Sequence, residues 1–201
     1  MTLGAPPDGP ARILIVCTAN RCRSPLAAAL LAAALAEHGE TAEIDTAGLG
    51  APGRAATDET VAVAARRDLD LVAHRSRTLE PTLVARADVV LGMERVHVRE
   101  VVAADPSAWP RTFTLKELVR RGEAVGAQQP GETLAAWLTR VGEGRQSRDL
   151  LGASPLDDVA DPSGRPIGDH EDLAHELEDL LGRLANLLRP DLQPPIRWLG
   201  S

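Results

Sequence analysis

The sequence is poor in aromatic residues: it has no tyrosine, one phenylalanine and three tryptophans in 201 positions. The core must therefore be aliphatic, and a module that binds RNA by stacking bases on aromatic rings is disfavoured. The only cysteines, Cys17 and Cys22, exclude a disulfide framework and are too few for a zinc ribbon. The five histidines are scattered without the spacing of metal ligands, so we expect no metal and no cofactor.

An excess of positive charge is missing as well. The formal net charge of −7 speaks against nucleic acid or an anionic membrane as the main partner. The longest apolar runs, about ten residues, are too short to cross a bilayer. Met1–Pro10 has neither the basic region nor the apolar region of a signal peptide, so we expect a cytoplasmic protein.

The length suits a single domain with short extensions. Proline-rich ends predict a disordered tail over residues 1–11, one α/β domain over residues 12–189 and a C-terminal tail over residues 190–201. A polar, weakly periodic stretch at about residues 122–149 is expected to be an insertion, in which Thr133–Val141 could form a short helix around Trp137.

Segments typical of strands and of helices alternate within the domain. Short β-branched runs predict strands at Arg12–Val16, Ala42–Ala47, Asp88–Met93 and Arg111–Thr114. Helical patterns predict helices at Pro25–His38, Asp58–Asp68 with Thr57 as its N-cap, Arg95–Ala104, and His170–Leu188 capped by Asp169. This alternation indicates a mostly parallel sheet covered on both faces, with ligands bound at the carboxyl ends of its strands.

A candidate phosphate site follows the first predicted strand. The chain there runs Cys17-Thr18-Ala19-Asn20-Arg21-Cys22-Arg23-Ser24-Pro25. Because this loop joins a strand to a helix, its backbone N–H groups can form an anion nest beside the helix N-terminus. We therefore expect the backbone from Thr18 to Ser24 to bind a phosphoryl group.

Side chains of the same loop suit nucleophilic catalysis. A thiolate at Cys17 would face the positive field of the nest. The guanidinium of Arg23 can hold two phosphoryl oxygens bidentately. The hydroxyl of Ser24 can donate a hydrogen bond to the sulfur when it leaves in a second step.

Such a reaction also needs a general acid for the leaving group. Asp161, which a proline follows, is the preferred candidate, and it could then act as the base toward the attacking water. Asp157 and Asp158 are rivals, because the sequence cannot rank three neighbouring aspartates.

The motif Cys-x5-Arg-Ser-Pro after a first strand, with a distant Asp-Pro, resembles the low-molecular-weight protein-tyrosine phosphatases. Three further segments resemble that family: Thr46-Ala47-Gly48, His74-Arg75-Ser76-Arg77 and the third predicted strand with its preceding alanine, Ala87–Met93. The resemblance covers roughly Arg12–Leu188 apart from the insertion. It implies a three-layer α/β/α fold with a four-stranded parallel sheet of flavodoxin-like topology.

The resemblance also implies roles for individual residues. By it, Cys17 is the nucleophile, Arg23 binds phosphate and Asp161 is the acid. The side chains of Asn20, Ser24, Thr46 and His74 would form a network that supports the loop. The implied partner is a phosphorylated protein or a small phosphomonoester, and phosphate or sulfate would be able to occupy the loop.

The sequence departs from the family where a substrate ring would stack. Ser163 and Gly164 stand where aromatic residues commonly follow the Asp-Pro, and residues 49–54 also lack an aromatic side chain. Arg21 replaces an apolar loop residue, which favours a polar or anionic substrate. Trp137 in the insertion is one candidate for the missing wall.

Three alternatives stay open at this point. Arsenate mimics phosphate, so the scaffold could reduce arsenate with the help of a small thiol. The chain could also be a non-catalytic regulator that binds anions. For Cys22, the choice is between a buried core thiol and a redox partner that forms a reversible disulfide with Cys17.

Overall fold

The computed structural model describes residues 10–188. Its four-stranded parallel sheet has the order β2-β1-β3-β4 and is built from β1 (Ala11–Cys17), β2 (Ala42–Gly48), β3 (Val89–Gly92) and β4 (Thr112–Thr114). This order is the expected flavodoxin-like topology, with the switch point between β1 and β3. Of the two predicted tails, only Pro10 and Ala11 lie among the described residues, and Ala11 already belongs to β1.

Helices cover both faces of the sheet, as expected for a three-layer fold. They are α1 (Arg23–Glu37), α2 (Asp58–Ala65), α3 (Pro81–Arg86), α4 (Arg95–Ala104), α5 (Leu115–Val125), α6 (Leu134–Val141) and α7 (Ile167–Leu187). Ile13 and Ile15 of β1 face the core under α1, α2, α5, α6 and α7, whereas Leu14 and Val16 face α3 and α4. Among residues 10–188, no helix combines the length and apolarity that a bilayer crossing needs.

The segment expected as a polar insertion contributes to the core. It holds the end of α5 and all of α6, and Trp137 on α6 is 0% exposed. The ring packs so tightly on Gly122 that a Cβ there would lie 3.0 Å from its Cζ2 atom. The indole N–H donates to the carbonyl of Gly126 at 3.0 Å. The hypothesis that Trp137 walls the substrate pocket is therefore wrong, because the ring fills the space between helices.

The last helix begins earlier than its leucine pattern predicts. It starts at Ile167, with Pro166 in the N-cap position. Asp169 lies inside the first turn, so the prediction that its side chain caps the helix is wrong. Its negative charge still interacts favourably with the positive end of the helix dipole.

Candidate active site

The phosphate loop leaves the sheet at the switch point. It begins at Cys17, the last residue of β1, and runs into the first turn of α1. Within residues 10–188, no protein acceptor pairs with the backbone N–H groups of Ala19, Arg21 and Cys22. Donors gathered in one turn beside a helix N-terminus can bind an anion, as the sequence predicts.

The shape of the loop depends on a close approach between Asn20 and Gly48. Asn20 has a left-handed backbone with φ of +52°. A Cβ on Gly48 would lie 2.7 Å from the backbone nitrogen of Asn20, so a larger residue at the end of β2 would push the loop away. This contact gives a physical reason for glycine in the Thr46-Ala47-Gly48 segment.

A chain of hydrogen bonds aims the hydroxyl of Ser24 at the candidate nucleophile. The backbone N–H of Arg77 donates to Oδ1 of Asn20 at 2.8 Å, which fixes the amide orientation. The amide nitrogen of Asn20 then donates to Oγ of Ser24 at 2.9 Å. Because Ser24 accepts that bond, its own proton is available to Sγ of Cys17, 3.0 Å away. The backbone N–H of Asn20 also donates to this sulfur at 3.2 Å.

Two other residues predicted to support the loop act differently from each other. Nε2 of His74 donates to the backbone carbonyl of Asn20 at 2.7 Å. Thr46 contributes its carbonyl, which accepts from Nη2 of Arg77 at 3.1 Å. Among the hydrogen bonds of residues 10–188, none uses the Thr46 hydroxyl, so its expected place in the network is taken by the backbone.

Arg23 lies under the loop with only 1% of its surface exposed. Its Nη2 donates to Oδ2 of Asp161 at 2.6 Å and to Oγ1 of Thr18 at 3.1 Å. Its Nη1 donates to the carbonyl of Val159 at 3.1 Å and pairs with the carboxylate of Glu94. The guanidinium is therefore held by two carboxylates, and an incoming anion must compete with them.

Asp161 is the aspartate that the fold brings to the loop. The backbone N–H and the hydroxyl of Ser163 donate to its Oδ1 at 3.0 and 2.7 Å. Burial alone would raise the pKa of Asp161. The bonds from Ser163 and the charge of Arg23 outweigh burial, so the pKa is below its ordinary value.

The two rival aspartates are engaged elsewhere. Oδ2 of Asp157 accepts two bonds from Arg95, at 2.8 and 2.6 Å, and its other oxygen pairs with Arg120. Asp158 accepts from the backbone N–H groups of Arg95 and Ser154, at 2.7 and 2.6 Å. Both residues anchor their loop to α4, which leaves Asp161 as the one of the three aspartates that reaches Arg23.

Two site residues, Glu94 and His97, are absent from the sequence-based predictions. Both lie at the start of α4, just after β3, where Nε2 of His97 is 3.1 Å from Oγ1 of Thr18. One signal was available, because side chains that follow neighbouring parallel strands meet at the same edge of a sheet.

Cys22 and Arg21 each contact a residue outside the loop. Sγ of Cys22 is buried and lies 3.6 Å from Nδ1 of His170. Burial raises the pKa of Cys22 to about 11. The side chain of Arg21 donates to the carbonyl of Ala55 at 2.7 Å, which ties the loop to the segment before α2.

The chain is similar to known proteins in sequence and in structure. The model of the family "Low molecular weight phosphotyrosine protein phosphatase" matches residues 12–141. A Ralstonia solanacearum protein named "Probable low molecular weight protein-tyrosine-phosphatase EpsP" is 40% identical over 107 residues, which is 53% of this chain and 71% of the relative. A Geobacillus stearothermophilus protein named protein-arginine-phosphatase is 32% identical over 185 residues, which is 90% of this chain and 99% of the relative.

A solved structure shows the same architecture over most of the chain. The YwlE arginine phosphatase from Geobacillus stearothermophilus superposes with a TM-score of 0.64 at 33% identity, covering 88% of this chain and 91% of that one. The likeness thus extends beyond the loop to the whole arrangement of strands and helices. The chain belongs to the low molecular weight phosphotyrosine protein phosphatases, a family of cysteine-dependent phosphatases.

Proposed function

We propose that this chain removes phosphoryl groups from proteins through a covalent phosphocysteine on Cys17. The observation that carries the proposal is the convergence of three side chains on one loop. Ser24 lies 3.0 Å from the sulfur of Cys17, and Asp161 lies 2.6 Å from Arg23. A nucleophile, a phosphate-binding guanidinium and a carboxyl group are the parts that this chemistry needs.

In the first step, the Cys17 thiolate attacks phosphorus while the bond to the leaving group breaks. Arg23 and the N–H groups of the loop bind the charged phosphoryl oxygens. Asp161, protonated at this stage, gives its proton to the leaving atom. For that transfer Asp161 must leave Arg23. The arriving phosphoryl group takes the place of Asp161 as the anionic partner of the guanidinium.

In the second step, water attacks the phosphocysteine and the sulfur–phosphorus bond breaks. Asp161 now accepts a proton from the water, and inorganic phosphate forms. The hydroxyl of Ser24 stabilises the departing thiolate, since Asn20 already occupies its acceptor side. We place this reaction in the reducing cytoplasm, because it needs a free thiol at Cys17.

Phosphoarginine is a second candidate substrate beside phosphotyrosine. Within residues 10–188, Phe113 and Trp137 are buried and Trp109 stacks on Arg145, so the phenylalanine and tryptophan rings are all engaged elsewhere and do not supply an aromatic wall for an aryl phosphate. The carboxylates of Glu94 and Asp161 beside the loop would accept hydrogen bonds from a guanidine. The nearly full-length likeness to a protein named protein-arginine-phosphatase supports this candidate.

The two other functions considered from the sequence have less support. The relatives described above carry phosphatase names, which does not favour arsenate reduction. The full set of Cys17, Arg23, Ser24 and Asp161 speaks against a regulator that only binds anions.

Hydrolysis of a small aryl phosphate in the presence of a chelator tests the proposal. Wild-type protein should turn over substrate, and rapid acid quenching should trap phosphate on sulfur. Cys17→Ser should lose turnover while it still binds inorganic phosphate. A folded wild type without turnover between pH 5 and 8 would refute the proposal.

Substrate choice is tested with two peptides of identical sequence, one carrying phosphoarginine and the other phosphotyrosine. A kcat/KM at least about tenfold higher for phosphoarginine, a difference of about 1.4 kcal/mol in transition-state binding, would support the second candidate. A preference of that size for phosphotyrosine would reject it.

A further inference from the structure

The hydroxyl of Thr18 is surrounded by hydrogen-bond donors. Nε2 of His97 lies 3.1 Å from Oγ1 of Thr18, and Nη2 of Arg23 lies 3.1 Å from the same oxygen. Thr18 itself is exposed at the mouth of the loop, one residue after Cys17. A hydroxyl has two acceptor positions and one proton to donate.

The backbone determines which nitrogen of His97 carries the proton. The N–H of Glu94 donates to Nδ1 of His97 at 2.9 Å, so Nδ1 must be unprotonated. Burial and then the charge of Arg23 lower the pKa of His97 to about 3. The neutral ring therefore carries its single proton on Nε2 and donates it to Thr18.

Both acceptor positions of the Thr18 hydroxyl are thus filled, by His97 and by the permanently charged Arg23. Its own proton must then be donated to a third group. The same Nη2 atom of Arg23 is the one that contacts the Asp161 carboxylate, so an anion that replaces the carboxylate arrives next to this hydroxyl.

We propose that the Thr18 hydroxyl donates a hydrogen bond to the phosphoryl group held by Arg23, and that His97 is the positioning residue that aims it. The inference rests on the proposed function of the loop. It adds a side-chain donor to the backbone donors of the nest. It also gives His97, 79 residues further along the chain, a role that involves no proton transfer.

The arrangement mirrors the other side of the loop. There, the amide of Asn20 fills an acceptor position of Ser24 and leaves the serine proton for the sulfur. Here, His97 and Arg23 fill the acceptor positions of Thr18 and leave its proton for the phosphoryl oxygen. In the phosphocysteine, Ser24 would donate a hydrogen bond to the sulfur and Thr18 would donate one to an oxygen on the phosphorus.

The primary test measures the affinity of the protein for inorganic phosphate by calorimetry, which requires no turnover. Thr18→Val keeps the shape of the side chain and removes the hydroxyl. We expect this variant to bind phosphate about 10- to 100-fold more weakly, the usual effect of losing a hydrogen bond to a charged group. Thr18→Ser should recover most of that loss. Thr139→Val, at an exposed position on α6, is the matched control and should bind as the wild type does.

A double-mutant cycle tests the positioning role. His97→Leu should weaken phosphate binding, and His97→Gln, whose amide can replace the Nε2 donor, should restore part of it. The double variant His97→Leu/Thr18→Val should bind phosphate with an affinity within about twofold of that of Thr18→Val alone, since His97 acts through the hydroxyl. Additive losses would overturn the positioning role.

The outcomes separate this inference from the proposed function. If Thr18→Val binds phosphate as tightly as the wild type, the inference is wrong even where the enzyme turns over substrate. If the wild type binds phosphate with this dependence on Thr18 but hydrolyses nothing, the proposed function fails and the inference stands. If the wild type binds no phosphate, both fail. Because His97 is buried, melting temperatures identify variants that do not fold, and the Thr18 variants then decide.

Discussion

Oδ2 of Asp161 lies 2.6 Å from Nη2 of Arg23, so the candidate acid rests on the guanidinium that is expected to bind phosphate. In this arrangement the pKa of Asp161 is below its ordinary value, although an acid needs a proton to give. Substrate resolves the conflict: a phosphoryl group takes over Arg23, removes the ion pair and adds negative charge nearby. Both changes raise the pKa of Asp161.

The first prediction concerns anion binding and pH. Sulfate stays a dianion between pH 4 and 8, so a change of its affinity with pH reflects protonation of the protein and not of the ligand. Since sulfate raises the pKa of Asp161, binding takes up a proton and should strengthen as pH falls through the acidic range, by up to about tenfold per pH unit. Asp161→Asn should bind sulfate more tightly at pH 7 and lose this dependence.

Turnover should respond in the opposite direction. On a substrate with a poor leaving group, Asp161→Asn should lower kcat about 100- to 10,000-fold, the range for loss of a general acid. Asp179→Asn, at an exposed position on α7, serves as the control. An unchanged rate in Asp161→Asn would remove the acid assignment.

A second prediction concerns the stability of the protein toward acid. Because the pKa of His97 falls to about 3 in the folded protein, the unfolded chain binds its proton first as pH drops below about 6.5. The stabilising contribution of neutral His97 is complete above that pH and is lost progressively toward pH 3. Urea unfolding at several pH values gives the free energy of unfolding as a function of pH. This free energy should depend less steeply on pH in His97→Gln than in the wild type. A variant at exposed His175, His175→Gln, should keep the wild-type slope.

A third prediction concerns a buried ion pair far from the sulfur. Arg145 donates to both oxygens of Glu117, at 2.8 and 3.0 Å, and its guanidinium lies 3.8 Å from the ring centroid of Phe113. Arg145→Leu should lower the free energy of unfolding by up to about 3–5 kcal/mol, because the buried Glu117 carboxylate loses its two-bond partner and keeps only Arg121, 3.2 Å away. Activity per folded molecule should not change.

Arg183→Leu is the matched control for that variant. Arg183 pairs with Glu123 and Asp179 on an exposed surface, so its loss should cost less than about 1 kcal/mol. Equal losses for the two arginines in denaturant unfolding would contradict the role given to burial.

A fourth prediction concerns Cys22 under oxidation. If it closes a disulfide onto oxidised Cys17, its raised pKa of about 11 leaves little thiolate at pH 7. The rate of closure after peroxide treatment should then increase about tenfold per pH unit from pH 6 to 9. Mass spectrometry of wild type should show the Cys17–Cys22 bond, and thiols should restore activity. Sulfinic acid at Cys17 without such a bond would make Cys22 a core thiol only.

The local sequence predicts many of the strands and helices. The hydrophobic runs around β1 and β2 predict these strands to within one residue at each end, and Arg95–Ala104 matches α4. Helix α5 was not predicted, because its interior glycine and many charges hide its apolar face. Its start did carry a signal: Thr114 accepts from the N–H of Glu117 at 3.1 Å, a bond between the two ends of a Thr-x-x-Glu capping pattern.

The candidate site likewise contains some residues that the local sequence predicts and others that it does not. The loop residues could be predicted because they are eight consecutive positions that form one sequence motif. Glu94 and His97 come from a different strand end, 71 and 79 residues from their partners Arg23 and Thr18, and only the sheet order brings them there. The choice of Asp161 over Asp157 was likewise out of reach, since it depends on which arginines fold against each carboxylate.

The position of β1 has a consequence for biosynthesis. Of the four strands in the sheet it leaves the ribosome first, yet it lies between β2 and β3, which follow it in the chain. Asp161 and α7 follow all four strands in the chain. The Cys17 thiol is therefore synthesised before Asp161, the proposed proton donor, and before the helix α7 that completes the core. The proposed dephosphorylation must therefore wait until the segment from β1 through α7 has emerged from the ribosome.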